Sequence, residues 1–96
     1  MSERTWSDRD RPCRRDGLVE RELPGELVIF DPESDRAHLL NRTAAAVWDL
    51  ADGTTPLAAI AAELATASGL DADRARTDAV AAVEHLAAAG LLAPRD

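Results

Sequence analysis

The residue types that carry out chemistry are few in this chain and poorly spaced for it. His38 and His85 are the two histidines and Cys13 is the one cysteine. No third ligand falls at a spacing that would complete a zinc site with any of them. No base falls beside Cys13 to make it a nucleophile, so it reads as incidental. Glu84 and His85 are consecutive, and consecutive side chains on a helix diverge. The glycines stand singly at 17, 25, 53, 69 and 90, which excludes a phosphate-cradling loop. Ser68 sits in Ala-Ser-Gly at the end of a helical pattern, whereas a carrier serine for a phosphopantetheine arm opens a helix. Catalysis needs converging polar groups in a sizeable pocket. A chain of 96 residues with 20 alanines offers little volume for one. The residues therefore point to recognition rather than catalysis, with no metal and no cofactor expected.

Recognition by a small domain depends on the elements that present its surface. Leu18-Val19 opens a strand running to Leu23, and Pro24-Gly25 is a turn dipeptide. Leu27-Val28-Ile29-Phe30 is the densest β-prone run. After the turn cluster Asp31-Pro32-Glu33-Ser34-Asp35, the segment Arg36-Ala37-His38-Leu39-Leu40 resumes an extended pattern. An inward Leu40 puts His38 on the same face and Ala37 and Leu39 on the other. This last strand is either capped by another element or is an edge, and an edge accepts an extended peptide through main-chain hydrogen bonds.

Three helical patterns follow. Asn41 is placed to cap the first, over 42–52, where Ala44, Val47, Trp48 and Ala51 make a stripe and Gly53 supplies a left-handed end. The sequence predicts Thr55 as the cap of the second, with Pro56 at its first position and Leu57, Ile60, Ala61 and Leu64 on its inner face. Gly69 ends it. Asp71 or Asp73 caps the third, and Gly90 ends it, with Leu91 folding back onto Leu86 or Ala87. On a helical wheel Ala75, Ala79, Val83, Leu86 and Ala87 form the inner stripe of this last helix. Arg74, Asp78, Ala82 and His85 form a flank, readable as a solvated surface or as one wall of a peptide groove. The order predicts an α+β domain, a winged helix-turn-helix with three N-terminal antiparallel strands followed by three helices.

Charge narrows the partner. The net charge is −7, with 18 acidic residues against 11 arginines and no lysine. Such a balance disfavours general binding to phosphate backbones. The rival reading, a winged-helix DNA-binding regulator, needs a basic recognition helix. Residues 71–90 instead hold Arg74 and Arg76 against Asp71, Asp73, Asp78 and Glu84. A scaffold subunit of a maturation complex is a further alternative. Residues 1–16 carry five of the arginines, with Trp6 as their one large apolar side chain and Pro12 as a helix breaker. They read as a disordered Arg-rich arm with Trp6 unattached, which leaves 17–96 as the folded domain. No apolar run is long enough for a membrane helix, the N-terminus is too charged for a signal peptide, and one cysteine allows no internal disulfide. A cytoplasmic location without membrane contact is expected.

From Gly17 to Ala93 the sequence resembles the PqqD-like family, small peptide-binding chaperones that serve pathways modifying ribosomally made peptides. The likeness is carried by Leu27-Val28-Ile29-Phe30-Asp31, by His38-Leu39-Leu40-Asn41-Arg42-Thr43-Ala44 continuing to Leu50, by Asp52-Gly53-Thr54-Thr55, and by Asp78 through Leu86 to Gly90-Leu91-Leu92. The resemblance implies a recognition element that binds the leader segment of a precursor peptide. The leader would add antiparallel to the third strand, Arg36 to Leu40, and lie against the third helix at Arg74, Asp78, Ala82 and His85. It also implies a partner enzyme, such as a radical-SAM protein, a leader peptidase or a cyclase, and no reaction of the domain's own. The N-terminal arm lies outside the resemblance. The alanine-rich run Ala79 to Ala82 makes the third helix poorer in bulky residues than the family's usual pattern.

Overall fold

Residues 6–94 are described by a computed structural model of the chain. The strands are β1 (Val19–Leu23), β2 (Glu26–Asp31) and β3 (Arg36–Leu40), and the helices are α1 (Arg42–Leu50), α2 (Leu57–Ser68) and α3 (Ala72–Ala88). The three strands form one antiparallel sheet in the order β1-β2-β3. This is the expected α+β order.

Short-range chemistry explains most of the boundaries. Gly25 turns β1 into β2 with φ +76°, a conformation that costs glycine little. In the β2–β3 turn, the Asp31 carboxylate accepts from the Glu33 N–H and the Ser34 hydroxyl, both at 3.0 Å. Asn41 Oδ1 accepts from the Ala44 N–H at 2.9 Å, and Asp71 Oδ1 from the Arg74 N–H at 2.8 Å, so the side-chain caps predicted for α1 and α3 form. The close of α3 is a Schellman motif: the Leu91 N–H reaches the Leu86 carbonyl and the Gly90 N–H the Ala87 carbonyl, each at 3.0 Å.

Register decides what each sheet face shows. Leu27 and Leu40 face each other across β2 and β3, as do Ile29 and His38, and this is the face covered by helices. Opposite residues share a face, so Glu20 and Glu22 of β1 also point to that side. The other face carries Val19, Arg21, Leu23, Glu26, Val28, Phe30, Ala37 and Leu39. The core lies between the sheet's inner face and the helices, around Ile29, Leu40, Trp48, Ile60, Val83 and Leu86, all fully buried.

Four expectations are corrected. The arm is not free over the residues described: Trp6 is only 7% exposed and Pro12 is fully buried. Residues 12–15 thread between two loops. The Gly53 N–H donates to the Pro12 carbonyl, the Arg14 N–H to Ala51, the Arg15 N–H to Leu91, and the Ala93 N–H to Cys13, at 2.8 to 3.0 Å. Two of the arginines that suggested a solvated tail have fixed acceptors. Arg14 Nη1 donates to the Trp48 and Asp49 carbonyls at the end of α1, and Arg15 pairs with Asp31 at 2.8 Å. Residues 1–5 of the expected arm lie outside the described residues. Cys13 packs near Gly53, where a Cβ would stand 3.1 Å from its sulfur.

The second correction is α1, which stops at Leu50 because the Ala51 N–H turns back to the Trp48 carbonyl. The third is Thr55, which does not cap α2. Both threonines, 54 and 55, give their N–H and hydroxyl to the Asp52 carboxylate. The first N–H groups of α2 are met instead by the packed arm, Leu57 donating to the Asp10 carbonyl at 2.8 Å and Ala58 to Asp8 at 3.1 Å. The fourth is Ala87, which is exposed while Ala82 is buried. α3 packs on α1 as well as α2, and this turns its buried arc toward Ala82.

Candidate functional site

β3 is hydrogen-bonded on one side only. β2 is its partner, and among the described residues no strand pairs with its outer edge. A strand spends alternate backbone groups on each side, so this edge leaves a row of N–H and C=O groups unpaired within the sheet. The packed N-terminal segment makes its bridges with Asp52 and Leu92, not with β3. Along β3, Arg36, Ala37 and Leu39 are exposed, His38 is half-buried and Leu40 is buried. The expected alternation therefore holds, with Leu40 anchoring the strand from the inner face.

α3 does not close against this edge. It packs on α1 and α2, and no α-carbon of α3 comes within 8 Å of one in β3. An added strand needs about 4.8 Å from its neighbour in the sheet. β3 runs into α1 through Asn41, and at that junction a hollow of about 320 Å³ opens toward α3. Its walls are Asn41, Thr43 and Ala44 on one side and Asp78, Ala81, Ala82 and His85 on the other.

Of the flank expected on α3, Asp78, Ala82 and His85 thus meet at one hollow, and Arg74 does not line it. Arg74 stands one turn back, with its Nε 3.3 Å from Asp78 Oδ1. Both side chains are accessible, so this pair adds little stability; its effect is to orient the carboxylate. The β3 residues do not line the hollow either; they border it through Asn41. Sequence reasoning missed Asn41, Thr43, Ala44 and Ala81 as lining. Asn41 was visible as a cap, and a cap at a strand-to-helix junction necessarily sits at the end of the edge. Ala81 neighbours Ala82 on the helix and carried no signal of its own.

Two carboxylates have clearly shifted ionisation, and neither belongs to the hollow. The hydrogen bond from Arg15 holds Asp31 below the usual carboxylate range, against the opposing effect of burial, with Ser34 and Glu33 assisting. Four donors from Thr54 and Thr55, the backbone N–H groups foremost, hold Asp52 far below that range. Both brace turns: Asp31 the β2–β3 connection, Asp52 the α1–α2 connection. Among the described residues no group of three or more His, Cys, Asp or Glu side chains is arranged to hold a metal ion, and no helix is long and apolar enough to cross a membrane.

Comparison with known proteins agrees with the fold. The family model described as coenzyme PQQ synthesis protein D (PqqD) matches residues 26–92. Two solved structures are similar. One is the solution NMR structure of the PqqD truncation of Methylobacterium extorquens PqqCD, described as a functional, stand-alone recognition element for ribosomally synthesised and post-translationally modified peptides. It is 27% identical with a TM-score of 0.75, over 93% of this chain and 95% of that one. The other is TbiB1 in complex with the TbiA(β) leader peptide, 17% identical with a TM-score of 0.75, over 88% of this chain and 98% of that one. No curated protein matches the sequence.

Proposed function

This chain belongs to the PqqD family, and we propose from that premise that it binds the leader segment of a ribosomally made precursor peptide and presents it to a modifying enzyme. The leader adds antiparallel to the outer edge of β3, from Arg36 to Leu40, in the gap before α3. Main-chain hydrogen bonds supply affinity, and alternate side chains are read on the two sides of the strand. Beyond Leu40, the hollow receives a leader side chain between Asn41 and Thr43 on one wall and Ala82 and His85 on the other. Ala81 and Ala82 leave the space, and Asp78, steadied by Arg74, gives that end a negative charge.

The observation that carries this reading is the unpaired β3 edge with α3 standing off from it. A peptide-bound structure of similar fold, TbiB1 with its leader peptide, supports it. The domain then works by tethering. It converts the encounter of precursor and enzyme into a local event at high effective concentration, and the chemistry belongs to the enzyme, whether a radical-SAM protein, a leader peptidase or a cyclase.

The test is titration of a synthetic leader, taken from a precursor encoded beside this gene, followed by amide hydrogen exchange. Binding should slow exchange at outward-facing amides within 36–40 and leave β1 amides unchanged. Protection confined to β1, or binding with no protection in β3, would refute strand addition.

A further inference from the structure

The sheet has a second surface that the leader reading does not use. Val19, Leu23 and Leu39 are the exposed large hydrophobic residues of the described chain, at 54%, 43% and 58%. All three lie on the outer face of the sheet, with half-buried Val28 and Phe30 between them. The same face carries one cation, Arg21, and one anion, Glu26. Neither has an ion-pair partner among the described residues.

The register fixes how these residues lie. Arg21 stands opposite Val28, and Val28 opposite Leu39; Leu23 stands opposite Glu26. Phe30 stands opposite Ala37, so with strands about 4.8 Å apart and same-face residues about 6.8 Å apart along each strand, Leu23, Val28 and Ala37 fall on one diagonal across the sheet, with Leu39 beside it. Arg21 lies on one side of that diagonal and Glu26 on the other, at nearly equal distances.

We propose that this face pairs with the same face of a second copy of the chain. The two-fold axis runs along the Leu23–Val28–Ala37 diagonal and sets Arg21 of each copy over Glu26 of the other and Leu39 over Phe30. An isologous interface must be complementary to itself. Here the apolar diagonal meets its own image, and the two charges exchange partners. The face carries no net charge in a chain whose net charge is −7, so two copies that repel elsewhere can approach there. The flat area is small, about 14 by 17 Å for three strands of five residues. That is about a third of the roughly 800 Å² per partner of a stable complex, so the dimer is weak. Face-to-face packing leaves the backbone edge of β3 free in both copies. The assembly therefore offers two leader sites. The pairing itself does not depend on the leader reading.

Sedimentation equilibrium of the full chain from about 10 µM to 1 mM tests it. The apparent mass should rise from 10.3 kDa toward twice that value. Arg21→Glu alone and Glu26→Arg alone should each stay monomeric across the range, with unchanged helical circular dichroism. An equimolar mixture of those two variants should dimerise again, because each then supplies what the other lacks. A wild type that remains monomeric at 1 mM overturns the proposal. So does a dimer indifferent to Arg21→Glu, or a mixture that fails to associate.

Discussion

Two extended segments of this domain have the same backbone and opposite fates. Residues 12–15 are bonded on both sides, to the loop at 51–53 and to the loop at 91–93. Residues 36–40 are bonded on one side, to β2. The first closes a structure and the second leaves a backbone edge without a partner strand among the described residues. The difference lies in neighbours: two loops converge on 12–15, while α3 stands clear of β3. β1 shows that exposure alone does not make a good receiving edge. It is also a sheet edge, but it carries Glu20, Arg21 and Glu22 in succession, with both glutamates turned to the inner face. Charges so placed oppose another strand. β3 has Arg36 at its start and then Ala37, His38, Leu39 and Leu40, so nothing like that guards it.

The sharpest way to separate the two segments is to remove the anchor of the first. Trp6→Ala deletes a buried indole and should destabilise the fold by about 3–5 kcal/mol, read from chemical denaturation, while leader affinity of the folded fraction stays unchanged. A Trp6 variant of full stability would mean that the N-terminal segment is only draped on the domain. Next comes the edge itself. Leu39→Pro should weaken leader binding by about 100-fold or more, since proline removes a donor and bends the strand. Glu20→Pro on β1 should change it less than about threefold. If both variants fold by circular dichroism and Leu39→Pro binds as wild type does, the contrast between the two edges fails.

Smaller effects are expected at the hollow. Asp78→Ala and Arg74→Ala should each weaken leader binding by about 0.5–2 kcal/mol by calorimetry, with Asp78 the larger because it lines the hollow and Arg74 only positions it. The smallest effect is one of pH. Asp31 and Asp52 both ionise below the ordinary 3.8 in the folded chain. A depressed carboxylate contributes stability above its unfolded value and loses it as pH falls through the folded one. The melting temperature should therefore hold from neutral pH to near pH 5 and decline below about pH 4. Asp52→Asn should be less stable at neutral pH and should decline less steeply below pH 4. Equal acid slopes in variant and wild type would remove Asp52 from that account.

Much of the fold was legible because its signals are local. Pro24-Gly25, the cluster from Asp31 to Asp35, Asn41, Gly69, Asp71 and Gly90 mark starts and stops through bonds that span a few residues. Thr55 misled for a related reason. Asp52 competes for the same hydroxyl, and two threonines with one carboxylate make a turn brace in place of a cap. On α3, the wheel found Asp78, Ala82 and His85 but ranked Ala87 as inner and Ala82 as flank. The wheel knows the angle between residues, not which neighbouring helix the arc faces.

By itself the sequence determined the order of elements, the alternation that exposes Leu39 and buries Leu40, and the acidic balance that disfavours nucleic acid, because propensity, periodicity and charge act over short stretches of chain. The tertiary structure alone decided that Arg14 would cap α1 from 34 residues away and that Arg76 would reach Asp8 across 68. It also decided which walls enclose the hollow and that, among the described residues, no strand pairs with the outer margin of β3. Those outcomes depend on where distant segments meet once the core has packed, and no local pattern encodes the distance between two surfaces.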